Sequence, residues 1–168
     1  DLRTMPANLH ADARFQKALA RWAERYSPIV GLDGRDGLAL EVAGAAHLFG
    51  GEDAMVADMR ARLARARLTA HIGMAGTKGA AWALARRNKG IAHGSPLDAI
   101  GDLPAHLLRL DRKTDIALQR LGVRTIADLA ALPRATITRR FGPEPLLRLD
   151  QALGKQPEAL SPISAPPH

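Results

Sequence analysis

The sequence contains no cysteine, which excludes a disulfide framework and a thiolate zinc site. It also lacks any apolar run near the roughly 18 residues that a membrane-spanning helix needs, and no signal peptide is recognisable. These absences are compatible with a reducing compartment, and we expect a cytoplasmic protein.

Aromatic residues are scarce, at 4% of the chain, whereas hydrophobic residues together make up 46%. Alanine and leucine must therefore do most of the packing in the core. The six histidines are scattered without metal-ligand spacing, and neither a P-loop nor a Gly-x-Ser-x-Gly motif occurs. We expect no bound metal and no cofactor.

Basic residues exceed acidic ones, giving a formal net charge of +7 and a pI near 10.7. Residues 1–101 hold 14 basic and 10 acidic side chains, and residues 102–168 hold 10 and 7, so both parts are basic. A basic balance favours a polyanionic partner, most often nucleic acid. The arginine-rich, alanine-rich composition of a GC-rich genome gives the same excess, so charge alone leaves both explanations open.

The first part of the chain alternates helical and strand-like patterns. Phe15, Leu19 and Trp22 fall at helical spacing, and "YSPIVGL" and "LALEVAG" flank the turn "DGRDG" as a hairpin would. The predicted elements are a helix at 12–25, a hairpin at 26–43, a helix beginning near 52, a strand at 69–76, a helix at 78–88 and a short strand or turn at 91–94. This order predicts an α+β domain over residues 1–98, with a mixed sheet covered by helices on one face.

The stretch "HLFGGED" resembles a metal-binding signature because two carboxylates follow two glycines. The sequence after it, "AMVADMRARLARARL", has the apolar spacing of an amphipathic helix rather than of a strand. Glu52 and Asp53 are therefore predicted to lie in the first turn of that helix, where carboxylates favour its exposed N–H groups. Gly50 and Gly51 would let the chain turn into the helix.

Residues 94–104, "GSPLDAIGDLP", are rich in glycine, proline and aspartate and are predicted to be a linker. After it only short helices are indicated, so residues 99–168 are predicted to form an all-α domain that ends in a loose, proline-rich tail. Thr125 with Asp128 three residues on resembles a capping box.

The segment "LGVRTIADL" reads as two helices joined by a glycine-containing turn, a helix-hairpin-helix. Free N–H groups at the start of its second helix could hold a phosphate oxygen without reading any base. An ordinary hairpin with solvated arginines remains the alternative. The residues predicted to contact a DNA backbone are Lys113, Arg120, Gly122, Val123, Arg124 and Thr125, with Arg139 and Arg140 as an extension.

In their order, these segments resemble the palm and thumb of Y-family, lesion-bypass DNA polymerases. The palm resemblance lies in "RYSPIV", "DGLALEVAG", "LFGG" and "IGMAGTKGAAWALARRNKG", and "LGVRTIADLAALP" falls where the family carries its thumb helix-hairpin-helix. The pieces "WAERYSP", "GAAHLFGGE" and "LPRATITRRFG" are most similar to the ImuB-like group. The resemblance covers roughly residues 10–160, and the first palm strand and most of the fingers would precede Asp1.

Departures from the family imply that this chain does not catalyse synthesis. Active members hold two Mg²⁺ ions with three carboxylates, two of which form an adjacent Asp-Glu pair. Asp36 matches the aspartate and is a remnant candidate only, because Gly37 replaces the glutamate. Trp82 stands where the family places a triphosphate-contacting lysine, and Lys78 matches an earlier basic position. The resemblance therefore implies no catalytic residue and no metal ligand.

By resemblance, the whole protein is a non-catalytic adaptor in SOS-induced, error-prone translesion synthesis. The implied partners are primer–template DNA, an ImuA-like accessory protein and an ImuC-type C-family polymerase, with the sliding clamp reached only through regions outside this chain. Self-association at an open sheet edge is a further prediction. The alternatives are a fragment of an active Y-family polymerase and a protein–protein module that does not bind DNA.

Overall fold

The computed structural model describes residues 8–163, which divide into two compact units. The first unit contains residues 8–51 and 159–163, and the second contains residues 52–158. Within this described range, no helix combines the length and the apolar character needed to cross a membrane.

The first unit is a helix packed on a two-stranded sheet. Helix α1 (Leu9–Ala23) begins at Asn8, whose side chain accepts a hydrogen bond from the Ala11 N–H at 3.1 Å. Strands β1 (Val30–Asp33) and β2 (Gly37–Leu40) pair antiparallel, with Val30 opposite Leu40 and Asp33 opposite Gly37. The predicted helix and hairpin are thereby confirmed.

The core of the first unit is small and apolar. Ala20 and Ala23 of α1 and Val30 of β1 are buried, and Trp22, Leu38, Leu40 and Ile163 pack around them. Phe15, which we placed on the apolar face of α1, is 51% exposed. The buried residues of α1, Ala20 and Ala23, lie near its C-terminal end instead.

The "HLFGGED" stretch is a turn into a helix, as predicted. A short 3₁₀ helix (Ala46–Phe49) ends at Gly50, and both Gly50 and Gly51 have left-handed backbones, with φ of +93° and +116°. Helix α2 (Glu52–Arg65) follows, with Glu52 and Asp53 in its first turn. Its buried residues are Met55, Val56, Met59 and Leu63, the face that the spacing predicted.

The strand predicted at 69–76 is largely absent, and residues 91–94, predicted as a short strand or turn, contain one bridge residue, Ile91. They meet at one parallel bridge, in which Met74 donates to Gly90 at 3.1 Å and Ala92 donates to Met74 at 2.8 Å. The segment instead lies against helix α3 (Lys78–Arg86): a Cβ at Gly73 would be 2.1 Å from the Ala81 carbonyl oxygen. The α+β class is confirmed, but the sheet is antiparallel and two-stranded rather than mixed.

The predicted linker at 94–104 is an ordered part of the second unit. It contains helix α4 (Pro96–Ile100), which begins with a capping box formed by Ser95 and Asp98. Ile100 is fully buried and Leu103 is 3% exposed, so this segment contributes to the core. The glycine and proline content reflected tight turns between short helices rather than a flexible connection.

The rest of the second unit is helical. The elements are a 3₁₀ helix (Ala105–Leu108), α5 (Arg112–Arg120), α6 (Ile126–Ala131), α7 (Arg134–Phe141) and α8 (Glu144–Ala152). Helix α3 packs against α4, α8 and the 3₁₀ helix, while α7 packs against α8. The buried cluster between them is almost entirely alanine, leucine and isoleucine, as the scarcity of aromatic residues requires.

The division predicted between residues 98 and 99 follows the palm-and-thumb resemblance and stays a prediction. By compactness, residues 52–98 group with the helical elements that follow them. The end of the predicted proline-rich tail, residues 164–168, lies outside the described residues.

Candidate nucleic-acid interface

The α5–α6 hairpin is built by one glycine and two helix caps. Asp111 begins α5 by accepting a hydrogen bond from the Thr114 N–H at 2.7 Å. After Arg120, Gly122 adopts φ +82°, a left-handed conformation that reverses the chain. Thr125 then begins α6 with the predicted capping box: its hydroxyl accepts from the Asp128 N–H at 3.1 Å.

The backbone N–H groups of the turn are already bonded within the protein. The Asp128 carboxylate accepts from the Arg124 and Thr125 N–H groups, each at 3.0 Å. Those of Gly122 and Val123 donate to carbonyls of α5, and those of Ile126 and Ala127 donate to the carbonyls of Leu103 and Gly101. The N–H groups that were expected to be free at the start of α6 are therefore bonded, two of them to the Asp128 carboxylate and two to backbone carbonyls.

The Asp128 carboxylate is held ionised by the same bonds. Hydrogen bonds from the Thr125 and Arg124 N–H groups lower its pKa below the ordinary value. Hydrogen bonds from Thr114 lower the pKa of Asp111 in the same way. A phosphate approaching the start of α6 would thus meet a negative charge, and any attraction must come from basic side chains.

Besides Arg112 at the start of α5, the hairpin carries the three basic side chains that were predicted to contact DNA. Lys113, Arg120 and Arg124 are exposed, and none of them forms a salt bridge with another side chain in residues 8–163. Val123 is 4% exposed and belongs to the core, and Thr125 is half-buried, so these two residues shape the turn. The hairpin can therefore contact a polyanion through long side chains.

Arg139 and Arg140 lie in the last turn of α7 and are also exposed. Neither forms a salt bridge within the described part of the chain. Helix α7 packs on α8, whereas α5 and α6 both pack on the 3₁₀ helix Ala105–Leu108. The two arginines are thus on a different helix pair from the hairpin, and their joining one surface stays a prediction.

The hairpin between β1 and β2 leaves no room for a second carboxylate beside Asp36. A Cβ at Gly37 would lie 2.7 Å from the Asp33 carbonyl oxygen, a separation that side chains do not tolerate. In residues 8–163 no three histidine, aspartate or glutamate side chains are grouped so that they could hold a metal ion. The described donor set does not fit a two-metal centre.

The position expected to hold a phosphate-contacting lysine is filled by an aromatic side chain. Trp82 packs partly against the core of the second unit, and the Arg86 guanidinium lies over its ring, 4.7 Å from the centroid. Lys78 is the first residue of α3, one turn earlier. The one lysine of α3 therefore lies at its first position, four residues before Trp82.

Sequence reasoning missed two bidentate ion pairs in the second unit. Arg134 donates to Asp150 at 3.1 and 2.6 Å, and Arg109 donates to Glu158 at 2.6 and 2.8 Å. Arg109 has a left-handed backbone with φ +63°, which is unusual for a residue with a side chain. Because the partners are 16 and 49 residues apart, no local pattern could have revealed them.

Curated proteins and solved structures similar to this chain agree with the resemblance. Protein ImuB from two strains of Caulobacter vibrioides, NA1000/CB15N and CB 15, is 45% identical over 164 residues, which cover 96% of this chain. The chain spans 36% of the length of those relatives. No family model matches the sequence.

Solved structures of DinB and of Dbh DNA polymerase are similar to this chain. DinB from Sulfolobus solfataricus matches with a TM-score of 0.73 and 17% identity, over 94% of this chain and 49% of that protein. An insertion ternary complex of Dbh DNA polymerase matches with a TM-score of 0.74 and 17% identity, over 93% of this chain and 48% of that one. At this identity the likeness establishes the fold.

Proposed function

We propose, on the premise that this chain is ImuB-like and has the fold of Y-family polymerases, that it is a non-catalytic part of a DNA-binding adaptor for error-prone translesion synthesis. The observation that carries the proposal is the α5–α6 hairpin. It presents Lys113, Arg120 and Arg124 in exposed positions without salt bridges in the described structure. Exposed cations without salt bridges can neutralise DNA phosphates and release the counterions condensed on the DNA.

The binding mode is electrostatic and independent of base sequence. The Arg124 and Thr125 N–H groups already donate to the Asp128 carboxylate, so basic side chains must supply the contacts to phosphate. Arg139 and Arg140 would add to them if α7 faces the same duplex. Such contacts hold the duplex in place and carry no base information.

A role without synthesis is supported by the β1–β2 hairpin. Polymerases position metal ions with adjacent carboxylates, and here the residue after Asp36 cannot carry any side chain without moving the Asp33 carbonyl. Trp82 in place of a phosphate-contacting lysine supports the same conclusion. The chain would then bind DNA without extending it.

The proposed protein partners are those of a full-length protein like the ImuB relatives, of whose length this chain spans 36%. We propose that the whole protein brings an ImuA-like accessory protein and an ImuC-type polymerase to DNA during the SOS response. Clamp contact would come from regions outside this chain.

The test is binding of the chain to a primer–template duplex by fluorescence anisotropy at several salt concentrations. Three to five phosphate contacts give a slope of log K against log salt of about −3 to −4.5. Arg120→Ala and Arg124→Ala should each reduce that slope by about 1, equally for all DNA sequences.

A matched pair of variants at Gly122 isolates the charge of the hairpin. A Cβ there meets nothing within 4 Å, and both aspartate and asparagine tolerate its left-handed backbone. Gly122→Asp should weaken DNA binding severalfold more than the nearly isosteric Gly122→Asn. Equal affinities for the two variants, or a wild type that binds no DNA, would overturn the DNA-binding proposal and favour a protein–protein module.

A further inference from the structure

A second basic site lies in the helical unit, apart from the hairpin, and a carboxylate of the chain itself occupies it. Arg109 follows the 3₁₀ helix and Arg148 lies in α8; both donate to Glu158, at 2.6 and 2.8 Å from Arg109 and 3.4 Å from Arg148. The hydrogen bond from Arg109 is the main cause that lowers the Glu158 pKa, and the charges of Arg109, of Lys78 at the start of α3 and of Arg148 lower it further. Two arginines thus bind one carboxylate, and a lysine adds to the positive charge that acts on it.

The site is built into the packing of three elements. The Arg109 guanidinium lies so close to the start of α3 that a Cβ at Gly79 would be 3.3 Å from its Nη2 atom. Arg109 has a left-handed backbone, and its side chain is 16% exposed. The Cα and Cβ atoms of Ala152 are nearer still to that Cβ position, each at 3.2 Å, so Gly79 lets α3, α8 and Arg109 meet at one place.

The carboxylate does not satisfy the donors around it. The Nε atoms of Arg109 and Arg148 are buried and have no hydrogen-bond partner. Buried donors without partners are rare in proteins because each loses its bonds to water. A carboxylate has two oxygens, whereas a phosphate group has more acceptors and a second charge, so it matches two guanidiniums and an ammonium better.

The segment that carries Glu158 is weakly held. Residues 154–157 and Ala159 are exposed, while Glu158 itself has a side chain that is 12% exposed. The backbone bonds in this stretch, from Lys155 and Gln156 to the Asp150 carbonyl, lie before Glu158. Beyond Glu158 the chain is held again at Ile163, whose N–H donates to the Val30 carbonyl at 2.9 Å, so the Glu158 side chain is the attachment of the few residues between these points.

We propose that Lys78, Arg109 and Arg148 form a phosphate-binding site in which Glu158 is an internal competitor. A phosphate group that enters displaces the Glu158 carboxylate and releases the residues next to it. The ligand class is a phosphate group, from either a nucleic-acid backbone or a free nucleotide. This site does not rest on the hairpin's role, because it shares no residue with it.

The test uses pyrophosphate as the probe, with isothermal titration calorimetry on the 168-residue chain. Glu158→Gln keeps the shape of the side chain and removes its charge, so pyrophosphate should bind about tenfold more tightly than to wild type. Asp150→Asn is the matched control, since it removes a carboxylate from the Arg134 pair in the same unit. Its affinity for pyrophosphate should equal that of wild type.

Two further results decide the proposal. Arg148→Ala in the Glu158→Gln background should abolish the gain, and equal affinities of the Gln and Asn variants would overturn the proposal. If Glu158→Gln does not fold, amide resonances of the wild type serve instead: saturating pyrophosphate must shift those of Glu158 and Ala159, and unchanged resonances refute the site.

The source of the phosphate follows from a parallel titration with a primer–template duplex. A gain in DNA affinity for Glu158→Gln above that for Asp150→Asn identifies a nucleic-acid backbone. A gain for pyrophosphate alone identifies a free nucleotide or phosphate. Because the hairpin variants leave this site intact, failure here and failure of the hairpin proposal are distinguishable.

Discussion

Substituting Gly73 by alanine should destabilise the second unit because no space exists for one methyl group. Its Cβ would lie 2.1 Å from the Ala81 carbonyl oxygen and 2.5 Å from the Ala85 nitrogen, both in the backbone of α3. A helix backbone cannot rotate away as a side chain can. Relief requires α3 to move by roughly 1 Å, given ordinary contact distances near 3.5 Å.

The size of the effect follows from what α3 buries. Ala80, Ala83 and Leu84 of α3 are 0–2% exposed in the core. A gap of about 0.5–1 Å between α3 and its neighbours would remove a quarter to a half of the van der Waals attraction of these side chains. With the backbone strain of overpacking, we expect a loss of about 3 kcal/mol in the free energy of unfolding. The melting temperature should fall by about 6–12 °C.

Gly76, three residues along, supplies the control. A Cβ there meets nothing within 4 Å, and its backbone is not left-handed, so Gly76→Ala should change stability by less than about 1 kcal/mol. Thermal unfolding of both variants by far-ultraviolet circular dichroism measures the difference. Melting temperatures that agree within about 2 °C would refute the close approach of this segment to α3.

Two other expectations test the helical unit. Leu118 is fully buried and Leu121 is 42% exposed, so Leu118→Ala should cost about 2–5 kcal/mol and Leu121→Ala under about 1, and equal losses in denaturant unfolding would contradict the packing of α5. In the folded protein the pKa values of Glu158, Asp111 and Asp128 lie below their ordinary values, which are 4.5 for the glutamate and 3.8 for the aspartates. The ionised groups therefore stabilise the folded state fully above these ordinary values, and this stabilisation is lost as pH falls through the folded pKa. The melting temperature should therefore stay level from about pH 7 to 5 and drop below about pH 4, whereas a drop beginning above pH 5 would count against these bonds.

Local signals in the sequence predicted the helices and turns well. Thr125 and Asp128 form the capping box that their spacing indicates, and Gly122 takes the left-handed backbone that a break between two helices requires. Glu52 and Asp53 begin a helix because the residues after them have helical periodicity. In each case the residues that decide the structure are close together in the sequence.

Two failures came from packing between segments of the chain, and a third came from a helix cap whose effect on the turn was not foreseen. The stretch 69–76 has strand-like residues, but its Gly73 brings it against α3, and it pairs at one point only. Residues 94–104 have the composition of a linker, yet Ile100 enters the core. The free N–H cradle was expected from the hairpin pattern alone, and the side chain of Asp128 removed it.

The close approach at Gly37 bears on any attempt to build an adjacent acidic pair into this hairpin by mutation. Exchanging Gly37 for glutamate would place an Asp-Glu pair in the sequence, but the new Cβ would collide with the carbonyl oxygen of Asp33 in the same hairpin. Placing a carboxylate there would need the turn redesigned, with its length or twist changed. One codon is therefore not enough to put two adjacent carboxylates into this hairpin.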